Sequence, residues 1–213
     1  MIFEPLANDS LSLRSGSLSP KRLALLLHGV GATPEGLAPV AEFLFGDDPD
    51  IACILLGGPH PVAGGAGRQW FPIGGVTTEN RPARVTSAVP ALAARISANA
   101  TAEGVAPDGL TILGFSQGAI MTLALAAASY SFKLAISLSG RLASDVRAAT
   151  AGSPKVILSH GIDDPVIPVS ESGAAAKTLL ASGYDVGFLP VPRLGHTTSI
   201  EQLSKLRELL NGG

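Results

Sequence analysis

An apolar run at residues 110–113, the pentapeptide Gly114-Phe115-Ser116-Gln117-Gly118 and an Ala/Leu-rich stretch at 119–128 follow one another without a break. Strand, G-x-S-x-G turn and helix in that order constrain the fold more than any other feature of the chain. The turn has to be sharp, because strand and helix approach closely across it and a Cβ at 114 or 118 would collide. The serine hydroxyl then projects from the carboxyl edge of a sheet, and the next N–H opens a helix. The pentapeptide alone is weak evidence in a chain with 25 glycines. Its weight comes from the flanking elements and from partners downstream.

Those flanking elements repeat. Short apolar runs at 21–27, 51–56, 110–113, 134–138 and 155–159, and a weaker one at 184–191, read as strands. Between them lie helical spacings at 34–45, 85–99, 172–181 and 199–210. Pro90 is expected to interrupt the second of these near its start. Near-continuous apolar strands alternating with helices predict an α/β fold with a mostly parallel sheet covered on both faces. The first twenty residues allow an antiparallel hairpin at the sheet edge, on a poor signal. No repeat or linker interrupts the pattern, so residues 1–213 read as one domain.

Bulk properties narrow the function classes. Apolar residues make up 46% and charged residues 15%, which favours a globular chain over a disordered one. A net charge of −2 with scattered basic residues gives no reason to expect nucleic acid or an anionic membrane. The longest apolar stretch, 118–129, is too short to span a bilayer, and the first five residues do not resemble a secretory signal. A soluble cytoplasmic protein is the expectation. The single cysteine, Cys53, lies inside an apolar strand and reads as a buried structural thiol. No pairing of cysteines or histidines suggests a metal.

One segment breaks the rhythm. Residues 57–82 are rich in Gly and Pro and lack periodicity, and long loops of that kind tend to be functional. The segment carries Arg68-Gln69-Trp70-Phe71, with the only tryptophan of the chain. Trp70 and Phe71 are candidates for the walls of a substrate pocket; the alternative is that they anchor the loop to the core.

A serine hydroxyl is a poor nucleophile until a base is within hydrogen-bond reach and a third group orients that base. In a sheet of this kind the partners follow the serine as acid, then histidine. His160 and His196 are the histidines after Ser116. His160 precedes the best acids and reads as packing at a strand end. His196 follows every candidate acid, just past a strand, and is the expected base. The acid lies in Gly161-Ile162-Asp163-Asp164-Pro165. Either aspartate could face the base; Asp164 is favoured because Pro165 stiffens the backbone beside it, and Asp163 would then cap the turn. Asp185, Asp145 and Glu171 are weaker candidates. The oxyanion donors expected are the N–H of Gln117, next to the nucleophile, and that of Val30 in the loop His28-Gly29-Val30-Gly31. His28 is expected to hold that loop through its ring nitrogens, and His60 to be solvated.

Taken together, Leu27-His28-Gly29-Val30-Gly31, Gly67-Arg68-Gln69-Trp70-Phe71, the Ser116 elbow, His160-Gly161-Ile162-Asp163-Asp164-Pro165-Val166-Ile167-Pro168 and Gly195-His196 resemble the phospholipase/carboxylesterase family of small α/β-hydrolases, which includes acyl-protein thioesterases. The resemblance covers nearly the whole chain. It implies an α/β-hydrolase fold without a large cap domain, hydrolysis of small ester or thioester substrates, and no cofactor. It supports Ser116, Asp164 and His196 as the triad and Val30 and Gln117 as oxyanion donors. Homodimers are common in the family. One departure stands out: family members often carry an acid shortly after the aromatic pair, whereas this chain continues Pro72-Ile73-Gly74-Gly75. The expectation is a serine carboxylesterase for short to medium acyl chains. Its rivals are a lysophospholipase or thioesterase for long chains, an acyltransferase, and a silent hydrolase fold that only binds.

Overall fold

The computed structural model describes residues 1–6 and 9–211. Gly212 and Gly213, within the domain expected over 1–213, lie outside the described residues, as do Ala7 and Asn8, among the first twenty residues for which a hairpin is allowed.

Strand β3 (Arg22–Leu27) shows why the apolar runs lack alternation. Leu23, Leu25 and Leu27 enter one core cluster, and Ala24 and Leu26 enter the other on the opposite face. A strand covered on both sides has no polar face to write into its sequence. The same holds for β4 (Ile51–Leu56), whose six residues are all buried. One cluster packs under helices α2 (Arg81–Ala102), α3 (Gln117–Ala127) and α4 (Val169–Ala181). The other lies under α1 (Ala38–Phe45) and α5 (Ile200–Asn211).

The sheet has eight strands among the described residues, in the order β1-β2-β4-β3-β7-β8-β9-β10. Here β1 is Glu4–Leu6, β2 Asp9–Gly16, β7 Leu110–Phe115, β8 Leu134–Leu138, β9 Lys155–Gly161 and β10 Val186–Val191. From β4 to β10 every pairing is parallel, while β1 and β2 form the antiparallel edge that the N-terminal residues allowed. The fold is the expected α/β one, with a mostly parallel sheet and helices on both faces. From β3 the chain crosses to β4 on one side and returns to β7 on the other. That reversal opens a crevice at the carboxyl ends of β3 and β7, where ligands bind in open α/β sheets.

Two expectations are corrected. Pro90 does not interrupt α2, which runs unbroken for 22 residues. Its buried stripe, Val85, Val89, Leu92, Ile96 and Ala100, continues across the proline, while Pro90 lies on the exposed face with Thr86. The carbonyl freed by the missing N–H therefore faces outward, and packing holds the helix together. The segment at 57–82 is not wholly irregular either. It contains a two-stranded ribbon of β5 (His60–Pro61) and β6 (Arg68–Gln69), and its last residues already belong to α2.

Candidate active site

Ser116 stands between the end of β7 and the first turn of α3, with φ 53° and ψ −114°. This is backbone that L-residues rarely adopt, and the surrounding packing enforces it. A Cβ at Gly118 would run into the carbonyl of Leu27, and one at Gly114 into the backbone of Gly118. Only glycine lets β3, β7 and α3 meet this closely. The Ser116 N–H donates to Leu138 O at 2.9 Å, tying the elbow to the end of β8. All residues of α3 are buried, so the platform under the serine is packed on every side.

The serine Oγ lies 2.9 Å from His196 Nε2, and His196 Nδ1 lies 2.7 Å from Asp164 Oδ2. A carboxylate oxygen only accepts, so the proton of the neutral ring sits on Nδ1 and Nε2 is free to accept from the serine hydroxyl. Gly161, at the end of β9, admits the histidine loop: a Cβ there would strike the carbonyls of Leu194 and Gly195. The Phe115 ring packs against the imidazole with centroids 5.1 Å apart.

Asp164 is buried, and its Oδ1 accepts N–H bonds from Val166 at 2.8 Å and Ile167 at 2.9 Å. Burial alone would raise its pKa. The hydrogen bond from His196 and the N–H groups of Ile167 and Val166 outweigh that effect, and the carboxyl titrates below its usual range. Asp163, the alternative acid, is exposed, and Asp164 alone of the two reaches a histidine.

The loop after β3 lies directly against Ser116. A Cβ on Gly29 would stand 3.3 Å from that of Ser116. The loop is pinned by backbone bonds to β6: Gly31 N–H donates to Arg68 O, and Arg68 N–H to Ala32 O, both at 2.9 Å. His28 secures its start as anticipated. Nε2 accepts the N–H of Gly58 at 2.9 Å, so Nδ1 carries the proton and donates to Gly29 O at 2.7 Å. Burial lowers the His28 pKa, in keeping with this neutral tautomer. Among the described residues, neither Val30 N–H nor Gln117 N–H donates to another group, which leaves both free for an oxyanion. His60 is exposed, as anticipated.

Trp70 and Phe71 differ from the pocket-wall expectation. They are 2% and 3% exposed and belong to the main core cluster. The indole N–H donates to His28 O at 2.8 Å. The cavity that Trp70 does line, about 220 Å³ with Leu92, Arg95 and Met121, contains no residue of the Ser116–His196–Asp164 line. Both aromatics anchor the loop, because a large apolar surface gains more from burial than from solvent at a cleft. What fastens them is a residue whose side chain the sequence reading passed over. Gln117 Oε1 accepts the Trp70 N–H at 2.8 Å, and Nε2 donates to Phe71 O at 2.8 Å. An amide next to Ser116, at the start of an apolar helix, is the available signal, since such a group must find partners when buried.

No group of His, Cys, Asp and Glu among the described residues is arranged to hold a metal ion. No described helix is long and apolar enough to cross a membrane.

Comparison with known proteins places this geometry among relatives. The family model described as phospholipase/carboxylesterase matches residues 8–212. The esterase YpfH of Escherichia coli K12 is 34% identical over 190 residues, 89% of this chain and 82% of that protein. Acyl-protein thioesterase 1 of Kluyveromyces lactis is 26% identical over 95% of this chain and 96% of its own. The crystal structure of esterase PE8 superposes with a TM-score of 0.81 at 28% identity, covering 93% of this chain and 96% of the other. A carboxylesterase from Mesorhizobium loti shares the fold, with a TM-score of 0.84 at 22% identity and 99% coverage of both chains.

Proposed function

The chain belongs to the phospholipase/carboxylesterase family, and from that membership we infer that it is a serine carboxylesterase. We propose that it hydrolyses esters of short to medium acyl chains through an acyl-enzyme on Ser116. The observation that carries the reading is the unbroken line from Asp164 Oδ2 through His196 to Ser116 Oγ.

In this mechanism Ser116 Oγ attacks the ester carbonyl carbon while His196 Nε2 takes its proton. Asp164, kept ionised by its N–H donors, stabilises the imidazolium and holds the ring in place. The carbonyl oxygen becomes an oxyanion held by the N–H groups of Val30 and Gln117. Collapse expels the alcohol, protonated by His196. Water then attacks the acyl-enzyme with His196 again as base, and Ser116 leaves with the proton returned to it. No step requires a cofactor. The reading takes the chain as one cytoplasmic domain, in keeping with its free, buried thiol at Cys53. It extends to a homodimer, which sedimentation velocity tests.

A second reading, long-chain thioesterase or lysophospholipase activity, draws on the exposed apolar side chains beside site residues: Val30 on the oxyanion loop, and Ile162 and Val166 on either side of Asp164. Hydrolysis of p-nitrophenyl esters from acetyl to palmitoyl, with Ser116→Ala as control, separates the two. Activity that favours short chains and disappears in the variant supports the carboxylesterase reading. A long-chain preference favours the second. No wild-type activity on any ester overturns the general-esterase reading.

A further inference from the structure

His160 is the penultimate residue of β9, four residues before Asp164, with its side chain fully buried. Its Nε2 faces two acceptors, Ile167 O at 2.8 Å and Asp164 Oδ2 at 3.2 Å. A nitrogen between two acceptors carries a proton, so in the neutral ring Nδ1 accepts the hydroxyl proton of Ser172, 2.6 Å away on α4. Burial lowers the His160 pKa, which fits that neutral form. Asp164 Oδ2 therefore accepts the Nδ1–H of His196 and is approached to 3.2 Å by His160 Nε2, whose N–H donates to Ile167 O, while Oδ1 takes two backbone N–H groups. Ser172 Oγ also lies 3.0 Å from Gly140 O, just past β8, so its single hydroxyl proton has two acceptors within reach, Gly140 O and His160 Nδ1.

Packing alone does not require an imidazole here. Burying one fully is costly unless each nitrogen finds a partner, and an apolar side chain would fill the space without that cost. The charged or titratable groups facing the ring are Asp164 and His196. From α4 it meets the neutral Ser172; the neighbouring Glu171 is paired with Arg141, beyond β8, at 3.5 Å.

We propose that His160 is a positioning residue for the hydrolysis: its Nε2–H shares Asp164 Oδ2 with His196 and fixes the carboxylate in the orientation that holds the His196 ring toward Ser116. This rests on the serine-esterase reading above. Without that N–H the carboxylate turns more freely and draws the His196 proton more strongly.

The test compares His160→Leu, which removes the donor, with His160→Gln, whose amide can present an N–H to the same acceptors. In the Leu variant kcat is expected to fall about tenfold with KM little changed, the loss of one hydrogen bond to a charged group. The acid limb of its kcat/KM profile should move up by about half a pH unit, because a donor to the ionised carboxyl has gone. The Gln variant should recover most of both changes. A purely structural role would lower the folded fraction in both variants and leave the pH profile of the folded enzyme unmoved. The downfield proton resonance of His196 Nδ1–H gives a readout independent of turnover, and it should shift in the Leu variant and return with Gln. If wild type shows that resonance but hydrolyses no ester, the esterase reading fails while the positioning claim is still decided by the spectrum. A folded Leu variant with wild-type kcat, acid limb and resonance overturns the proposal. Should the Leu variant not fold, Ser172→Ala leaves His160 in place with Nδ1 unheld, and a several-fold loss in kcat at constant KM is expected. Unchanged kcat in that variant overturns the proposal equally.

Discussion

Gln117 holds Trp70 by the backbone: its side-chain Oε1 accepts the Trp70 N–H at 2.8 Å while its Nε2 donates to the carbonyl of Phe71. The same residue carries one of the two N–H groups proposed to bind the oxyanion. The Ser116 elbow and the 57–82 segment are therefore joined through this one side chain.

Replacing Gln117 by Ala strands the buried Trp70 N–H and Phe71 carbonyl. An unfolding free energy lower by about 1–3 kcal/mol is expected. As Trp70 is the only tryptophan, its fluorescence reports the loop directly. Emission should move to the red in the variant before global unfolding in urea. Unchanged emission and stability would mean that the clamp contributes nothing.

Ser116 should prefer glycine to alanine, the reverse of an ordinary position. Its φ of 53° is strained for any residue with a Cβ. Both Ser116→Gly and Ser116→Ala lose the hydroxyl and are expected to be inactive, yet the glycine variant should be the more stable by about 1 kcal/mol. Paired urea melts settle the sign, and an alanine variant as stable as the glycine one would show that the elbow stores no strain.

Gly161→Ala pushes a methyl into the carbonyls of Leu194 and Gly195, the segment that leads into His196. Overpacking of about 1–3 kcal/mol is expected, with a larger relative loss in kcat than in KM because the base is displaced. Gly36→Ala is the control, since nothing stands within 4 Å of the added carbon. Equal kinetics for the two variants would sink the argument.

Acid should weaken the fold in two stages. His28 and His160 are buried with pKa values lowered from 6.5, so the unfolded chain binds protons there first. Their contribution is complete above about pH 6.5 and falls away as the pH drops below it, at up to about 1.4 kcal/mol per pH unit for each ring. Asp164 adds a second stage. Its folded pKa lies below the ordinary 3.8, so its stabilisation is present above that value and lost as the pH falls through the folded one. Urea melts from pH 8 to pH 3 should show the first decline near 6.5, and Asp164→Asn should remove the later stage while deepening the first, because the carboxylate that opposes the lowering at His160 is gone. A stability that stays flat from pH 8 to pH 5 would contradict the neutral, buried state of both histidines.

The sheet was legible because each of its parallel strands is a short apolar run, and the hydrogen-bonded line Ser116–His196–Asp164 because chain order leaves so few partners for Ser116. Pro90 was misleading for a reason a linear reading does not capture. Whether a proline breaks a helix depends on which face receives the freed carbonyl, and that follows from packing against the sheet. The aromatic pair posed a similar problem. Trp70 and Phe71 suit a pocket wall or an anchor equally well by composition, and the deciding partners, Gln117 and His28, lie 47 and 42 residues away. By its position alone His160 reads as strand-end packing. Its contact with Asp164 depends on how the turn at 161–164 folds back, which spacing does not reveal.

The bridge between the loop after β3 and β6 has a practical consequence. Gly31, Ala32 and Arg68 are joined there by main-chain atoms alone, so the join does not read the identity of the side chain at 30. Residue 30 can be exchanged for larger or smaller groups to reshape what enters the site while the loop keeps its course. The loop proposed to bind the oxyanion is in that sense a replaceable tip on a fixed mount, the mount being β6 together with the His28 contacts to Gly58 and Trp70.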